Sequence, residues 1–130
     1  MEDEREVAAL WLRIFSDARG ANPPDDNLRR KLEFQGELFL VGELGGAVVG
    51  TVMAGYDGHR GWIYRLAVAP ECRSRGFARA LMAEAEARLR KIGCPKVNLQ
   101  VRGGNSEVVC FYEKLGFAVE DRVSMGKRLI

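Results

Sequence analysis

Residues 68–81 read Val68-Ala69-Pro70-Glu71-Cys72-Arg73-Ser74-Arg75-Gly76-Phe77-Ala78-Arg79-Ala80-Leu81. A strand pattern that begins at Trp62 stops at Pro70, because proline has no amide hydrogen for a sheet ladder. A helical pattern begins at Phe77, where apolar residues recur at helical spacing as far as Ile92 and basic residues fill the last turn. The stretch therefore predicts a strand, a short loop and a long helix.

The loop between this strand and this helix has the composition of an anion site. The first amides of a helix have no partner within the helix, and the helix dipole is positive at that end. Gly76 lets a ligand approach the main chain closely, and Ala78 keeps the next turn small. Arg73, Arg75 and Arg79 add positive charge suited to several phosphates. An arginine-rich turn that faces solvent is the alternative interpretation.

The order of the remaining elements is typical of a mixed α/β (α+β) domain. Predicted helices run from the acidic N-terminus to about Ala18, from after Asp25 and Asp26 to near Gly36, over residues 77–92, and from the N-cap Asn105 through Leu115. Predicted strands cover residues 38–41, 47–56, 62–68, 97–101, 117–119 and 123–130, and the first two form a hairpin around Gly45-Gly46. We expect one domain over residues 1–130 with a mostly antiparallel sheet.

Composition and charge argue against several classes of protein. A chain of 130 residues that is 47% hydrophobic and 29% charged is long and apolar enough for one folded core. A net charge of +2 gives no indication of a nucleic-acid partner. Nothing resembles a membrane span, and the acidic N-terminus differs from a secretory signal, so we expect a cytoplasmic protein with no membrane partner. The three cysteines form no C-x-x-C pair, which disfavours a disulfide framework and a metal site.

Three segments together resemble the GNAT superfamily of N-acetyltransferases. Arg73-x-x-Gly76-x-Ala78 is similar to the pyrophosphate-binding signature of that family. The preceding Leu66-Ala67-Val68-Ala69-Pro70 looks like the family's strand, and Cys110-Phe111-Tyr112-Glu113-Lys114-Leu115-Gly116-Phe117 looks like its tyrosine-bearing helix and the strand that follows. The matches fall in the family's order from about Glu37 onward. Residues 50–61 further resemble a small bacterial subgroup, the YpeA-type acetyltransferases.

The resemblance implies a three-layer fold with about four helices and two splayed central strands, and acetyl-CoA as the co-substrate. It implies that the main chain of Leu66, Ala67 and Val68 pairs with the pantetheine arm. In the loop and the first helical turn, it implies cofactor contacts from Arg73, Ser74, Arg75, Gly76, Phe77, Ala78 and, with less weight, Arg79. Asn105 matches a residue that often contacts pantetheine, and an N-cap role is compatible with that contact.

Tyr112 matches the family's general acid, which protonates the departing CoA thiolate, and the same position also counts among the cofactor contacts. A phenol suits this step because its reference pKa of about 10 keeps it protonated at neutral pH. Its spacing with Val108 and Leu115 on one helical face leaves a core role open as well.

Two departures from the family pattern affect what the resemblance implies. Ser74 stands where the family often has glycine, which would change the dihedral angles of the loop or offer a hydroxyl to phosphate. The family also begins with a strand, whereas this sequence starts almost directly in a helix. Either the sheet has one strand fewer, or another chain covers its edge, which leaves a homodimer open.

The acceptor and the general base stay open. Residues 62–64 lack the glutamate that some members carry, and Glu33, Asp57, His59 and relayed water are the alternatives. We expect direct transfer of an acetyl group from acetyl-CoA to a primary amine, without a covalent enzyme intermediate. A non-catalytic acyl-CoA-binding module is the alternative function. A phosphate-loop nucleotide hydrolase is disfavoured, since no Gly-Lys-Ser or Gly-Lys-Thr follows a glycine-rich loop.

Overall fold

The computed structural model describes residues 3–15 and 24–129, and the chain divides into two units, residues 1–100 and residues 101–130. The elements described in the first unit are α1 (Glu4–Ile14), α2 (Pro24–Glu33), β1 (Phe39–Leu44), β2 (Ala47–Tyr56), β3 (Gly61–Val68), α3 (Phe77–Lys91) and β4 (Val97–Leu99). The second unit contains α4 (Ser106–Lys114). Among the described helices, none is long and apolar enough to cross a membrane. The expectation of a single domain stays a prediction.

The sheet of the first unit has the strand order β1-β2-β3-β4. The first two pairings are antiparallel and the third is parallel. The parallel pairing runs only from Gly61 opposite Val97 to Ile63 opposite Leu99, whereas β3 continues to Val68. The two strands therefore pair at the start of β3 and do not pair beyond Ile63. This confirms the expected mixed sheet with splayed central strands.

Helices cover both faces of the sheet. Successive side chains of a strand point to opposite faces, so each strand offers apolar side chains to the helices on both sides. On one face Trp11 of α1 packs edge-on against Phe39, with ring centroids 5.8 Å apart, and donates a hydrogen bond to Thr51. On the other face Leu81 of α3 lies against Gly42 and Gly50, which sit opposite each other in β1 and β2. The three layers implied by the family resemblance are thus present.

The glycine pair lets α3 approach the sheet closely. A Cβ atom built on Gly50 would lie 3.0 Å from Leu81 Cδ1 and 3.1 Å from the carbonyl oxygen of Ala67, whereas one on Gly42 would meet nothing nearer than 3.9 Å. The buried face of α3 consists of Leu81, Met82, Ala85 and Leu89. This close packing fixes the start of α3 beside the end of β3.

The predicted bounds of the first two helices were inexact. α1 ends at Ile14 and Phe15 is already extended, whereas the sequence predicted a helix to about Ala18, a residue outside the described part of the chain. α2 begins at Pro24, so Asp25 and Asp26 lie within its first turn and do not precede it. Proline suits this first position because its missing amide hydrogen would have no partner there.

The prediction of two closing strands was wrong for the residues described. Residues 117–129 contain neither helix nor strand, and Ile130 lies outside the described residues. Val123, Met125 and Leu129 are 88–91% exposed. Alternating apolar residues favour a strand only where a neighbouring strand supplies hydrogen bonds and a buried face. β4 is also shorter than predicted, since it ends at Leu99 and not at Val101.

Candidate functional site

A β-bulge interrupts β3 just before the segment that resembles the cofactor strand. Thr51 of β2 pairs with Ala67, but Met53 pairs with Tyr64, so Arg65 and Leu66 together face the single residue Val52. Arg65 has a φ of 53°, in the left-handed region. A bulge bends its strand and shifts the register of all that follows. The sequence pattern predicted an uninterrupted strand over residues 62–68, so this bulge was not expected.

Beyond the bulge, the main chain of Val68 points away from β2. The amide of Ala69 donates to the carbonyl of Val49 at 2.7 Å, and residues in an antiparallel ladder alternate between facing their partner strand and facing away. The Val68 carbonyl instead accepts a hydrogen bond from Arg73 Nε at 3.3 Å. β4 pairs with β3 only from Gly61 to Ile63, so the ladder between these two strands does not reach Val68.

The loop after β3 is shaped as an anion cradle. Ser74 and Gly76 both have left-handed backbones, with φ of 65° and 84°. Turns that contain left-handed residues are the arrangement in which successive amide groups form anion-binding concavities. Gly76 is also the N-cap of α3, a helix of 15 residues, and a Cβ built there would meet no described atom within 4 Å. The first amides of α3 have no partner within the helix, so this helix N-terminus suits an anion.

The side chains around this cradle divide into two groups. Arg73, Arg75 and Arg79 are exposed and surround the start of α3 with positive charge. Phe77 and Ala78 are partly buried and pack against the apolar core, so they anchor the first helical turn. The sequence of that turn contains no acidic residue that would compete with an anion. The loop residues predicted from the sequence therefore come together in one place.

A salt bridge ties this loop to α1. Arg13 Nη2 lies 2.8 Å from Glu71 Oε2, with both side chains at least half exposed. The hydrogen bond from Arg13 lowers the pKa of the Glu71 carboxyl below its usual value. An exposed pair of this kind contributes little stability, about 0–1 kcal/mol. The salt bridge keeps the Glu71 carboxylate beside Arg13, and no local sequence pattern predicts this long-range pair.

Tyr112 of the second unit lies in an aromatic setting. Its ring packs edge-on against Phe111 and Phe117, with centroid distances of 5.2 and 5.6 Å. Burial raises the pKa of the Tyr112 phenol to about 12. The phenol is therefore protonated throughout the neutral range. Tyr112 can therefore pack against its aromatic neighbours and still carry a proton on its phenol.

Asn105 has the capping role that the sequence predicted. Its side-chain oxygen accepts a hydrogen bond from the amide of Val108 at 3.4 Å, at the N-terminus of α4. A contact between Asn105 and pantetheine stays a prediction.

The three side chains that are candidates for the general base differ in their hydrogen bonds and position. Asp57 Oδ1 accepts hydrogen bonds from the amides of His59 and Arg60 at 2.7 and 2.8 Å. These main-chain bonds lower the pKa of Asp57, which makes it a weaker base and accounts for it as a turn-forming residue. His59 lies in the same exposed turn, and Glu33 is exposed at the end of α2.

Most of the chain matches a known protein family. A sequence model described as the acetyltransferase (GNAT) family matches residues 5–117. The chain belongs to the GNAT acetyltransferase family. It is 48% identical over 128 residues to an acetyltransferase of Yersinia enterocolitica, across 98% of this chain and 90% of that one.

Solved structures agree with this assignment. This GNAT acetyltransferase superposes on Ard1 from Thermoplasma volcanium with a TM-score of 0.78 and 27% identity, over 92% of this chain and 78% of that one. It superposes on AAC(6')-Iy, in complex with a bisubstrate analogue, with a TM-score of 0.79 and 16% identity, over 99% and 93% of the two chains. The second likeness is one of fold alone.

The site of this GNAT acetyltransferase fits acetyl-CoA, the co-substrate of its family. A diphosphate needs converging amide groups and positive charge, which the cradle at residues 73–79 supplies. The amide groups of pantetheine need a strand edge that pairs with no other strand. At Val68, the edge of β3 that faces away from β2 is not paired with β4, and the Val68 carbonyl accepts one side-chain bond, from Arg73. Among the residues described, no cluster of His, Cys, Asp and Glu side chains suited to a metal ion accompanies these features.

Proposed function

We propose that this GNAT acetyltransferase transfers an acetyl group from acetyl-CoA to a primary amine of a small molecule or peptide, by direct attack in a ternary complex. One observation carries the proposal: the cradle at Ser74–Gly76 follows, after one short 3-10 helix (Pro70–Cys72), a strand whose end turns the main chain of Val68 away from β2. Acetyl-CoA carries a diphosphate and then a pantetheine arm, so it presents the matching groups in the matching order.

In this proposal the chain holds the co-substrate mainly with its backbone. The main-chain groups of Leu66, Ala67 and Val68 pair with pantetheine, and the amides of residues 73–78 bind the diphosphate. Arg79 adds charge from the first turn of α3. The hydrogen bond from Arg73 to the Val68 carbonyl supports this arrangement, because it joins the loop proposed to bind the diphosphate to the strand proposed to bind pantetheine.

Bound acetyl-CoA supplies an activated thioester. The role proposed for Tyr112 is to hold a proton at Oη, close to the sulfur atom of CoA that leaves when the acetyl group is transferred. Burial, which raises the pKa to about 12, keeps this phenol protonated at any pH where an amine acceptor reacts, but the same shift makes it a weaker acid toward the thiolate. The support for the role is therefore the match of Tyr112 to the family's position and not its pKa. The amine must lose a proton, and Glu33, His59 and solvent water remain the proposed acceptors, with Asp57 the weakest of the set.

The experiment that tests this function measures the release of free thiol from acetyl-CoA across a panel of primary amines. We expect turnover by the wild-type protein and a loss of kcat of about 10²-fold or more in Tyr112→Phe, while the Kd of CoA changes by less than about threefold. Binding of CoA by the wild-type protein without turnover for any amine, together with unchanged CoA binding in Tyr112→Phe, would instead favour the non-catalytic acyl-CoA-binding module.

The partner proposed at the outer edge of β1 is a second copy of the chain. In the described part of the sheet β1 pairs only with β2, and an uncovered edge strand favours further pairing. Light scattering of the purified protein distinguishes the dimer from the alternative, a monomer whose sheet has one strand fewer. A cytoplasmic location stays a prediction that cell fractionation tests.

A further inference from the structure

Thr51 is a fully buried polar residue in the middle of β2, with 0% of its surface exposed. Its hydroxyl accepts a hydrogen bond from Trp11 Nε1 at 2.9 Å and donates one to the carbonyl oxygen of Arg65 at 2.8 Å. Arg65 is the left-handed residue of the β-bulge. Because a bulge disrupts the ladder locally, the Thr51 hydroxyl supplies a bond that the regular sheet no longer offers there.

The side chain of the bulge residue is held from the same direction. The Arg65 guanidinium carbon lies 5.1 Å from the ring centre of Trp11 and 4.9 Å from that of Phe15. Arg65 Nε also donates to the side-chain oxygen of Asn27 at 3.2 Å. Trp11 therefore contacts both the charge of Arg65 and the hydroxyl that binds the Arg65 carbonyl. Residues of α1, α2 and β2 converge on one strained position of β3.

The bulge decides which main-chain groups of β3 face the opening toward β4. With the extra residue present, Ala67 pairs with Thr51 and Val68 points away from β2. Without it, every following residue would slip by one position and the outward-facing groups would become the inward-facing ones. The bulge is thus a condition for the backbone pattern at residues 66–68.

We infer that Thr51, together with Trp11, is a positioning residue for acetyl-CoA: it holds the Arg65 bulge and thereby sets the register of the strand that binds pantetheine. The inference rests on the proposed function for the identity of the ligand. The physical step does not depend on the ligand, because loss of the hydroxyl leaves the Arg65 carbonyl and the Trp11 indole without this buried partner.

The test compares Thr51→Val, which keeps the shape of the side chain and removes the hydroxyl, with Thr51→Ser, which keeps the hydroxyl. Leu89→Ala is the matched control, because Leu89 is a buried residue of α3 packed near Gly61, at the opposite end of β3 from Val68. Four quantities are measured for each variant: the thermal midpoint, the kinetic constants with acetyl-CoA, the Kd of CoA, and hydrogen exchange of amides 66–69 in the cofactor-free protein.

We expect Thr51→Val to raise the KM for acetyl-CoA and the Kd of CoA about tenfold, with kcat within about threefold of wild type. Amides 66–69 exchange faster in this variant, and Thr51→Ser restores all three values. Leu89→Ala lowers the thermal midpoint without changing the KM. A normal KM and normal exchange in Thr51→Val overturn the inference, and so does an equal rise of KM in Leu89→Ala. A wild-type protein that fails to bind CoA contradicts the proposed function alone, since exchange in the cofactor-free protein still decides whether Thr51 holds the bulge.

Discussion

The side chain of Arg73 turns back to the strand that precedes it, with Nε 3.3 Å from the carbonyl oxygen of Val68. This bond closes the loop between β3 and α3 on itself. The positive charge of Arg73 lies beside the cradle, but the contact that the structure assigns to it is with main chain. Arg73 therefore helps to shape the loop through its bond to Val68. The structure assigns no such bond to Arg75 or Arg79 among the described contacts.

The first prediction concerns Arg73 and compares it with Arg79. Arg73→Ala removes both a charge and the bond to Val68, whereas Arg79→Ala removes a charge from the first turn of α3. We expect the Kd of CoA to rise about tenfold or more in Arg73→Ala and only about two- to fourfold in Arg79→Ala. Isothermal titration calorimetry at fixed salt measures both. Equal losses in the two variants would mean that only the charge of Arg73 matters.

The second prediction concerns the left-handed backbone of Ser74. A non-glycine residue in this region carries a strain of roughly 1–2 kcal/mol, and glycine removes it at an entropic cost of about 0.5–1 kcal/mol. Ser74→Gly should therefore raise the free energy of unfolding by about 0.5–1 kcal/mol and leave the Kd of CoA nearly unchanged. Urea denaturation gives the first value. A marked weakening of CoA binding would show instead that the Ser74 hydroxyl contacts phosphate.

The third prediction tests the close packing of α3 on the sheet. Gly50→Ala places a methyl group 3.0 Å from Leu81 Cδ1 and 3.1 Å from the Ala67 carbonyl oxygen, so we expect a loss of stability of about 1–3 kcal/mol. Gly42→Ala is the control, because its nearest neighbour would lie at 3.9 Å, an ordinary contact. Thermal unfolding of the two variants checks the difference. Similar midpoints would contradict the packing described for this face.

The fourth prediction follows from the pKa of Tyr112, which burial raises from 10.0 to about 12. The folded protein then keeps a proton that the unfolded chain loses near pH 10, so this group stabilises the fold below that pH and its contribution disappears as the pH rises through about 12. The free energy of unfolding should fall more steeply over this interval in wild type than in Tyr112→Phe. Tyr64, whose pKa burial and Asp57 also raise, contributes equally to both proteins. Parallel pH profiles would show that Tyr112 has an ordinary pKa.

The sequence predicted β3, the loop and α3 well because their signals are local. Pro70 ends the strand pattern, Gly76 marks the start of the helix, and the structure places the last helical residue at Lys91, one residue before the predicted end at Ile92. Asn105 is a second example, since an N-cap depends only on residues within one turn. The assignment of the loop residues to a cofactor site rests on the same local signals and stays a prediction.

The bulge at Arg65 could not be predicted in this way, because it depends on residues far apart in the sequence. The Thr51 hydroxyl donates to the Arg65 carbonyl and accepts from Trp11, and this chain of bonds exists only after α1 and the sheet have packed together. The closing strands failed for a related reason: alternation in residues 123–129 expresses a preference, and strand formation requires a partner. Tertiary contacts thus decide what the local pattern leaves open.

The central claim, that the amides of the loop before α3 bind the diphosphate of CoA, is tested most directly by a titration of the ¹⁵N-labelled protein with CoA, followed through its amide resonances. We predict that the largest shifts occur at residues 73–78, that Val68 shifts with them, and that pantetheine, which lacks the diphosphate, moves Val68 and leaves residues 73–78 in place. Saturable binding of CoA with no change at residues 73–78 would contradict the account.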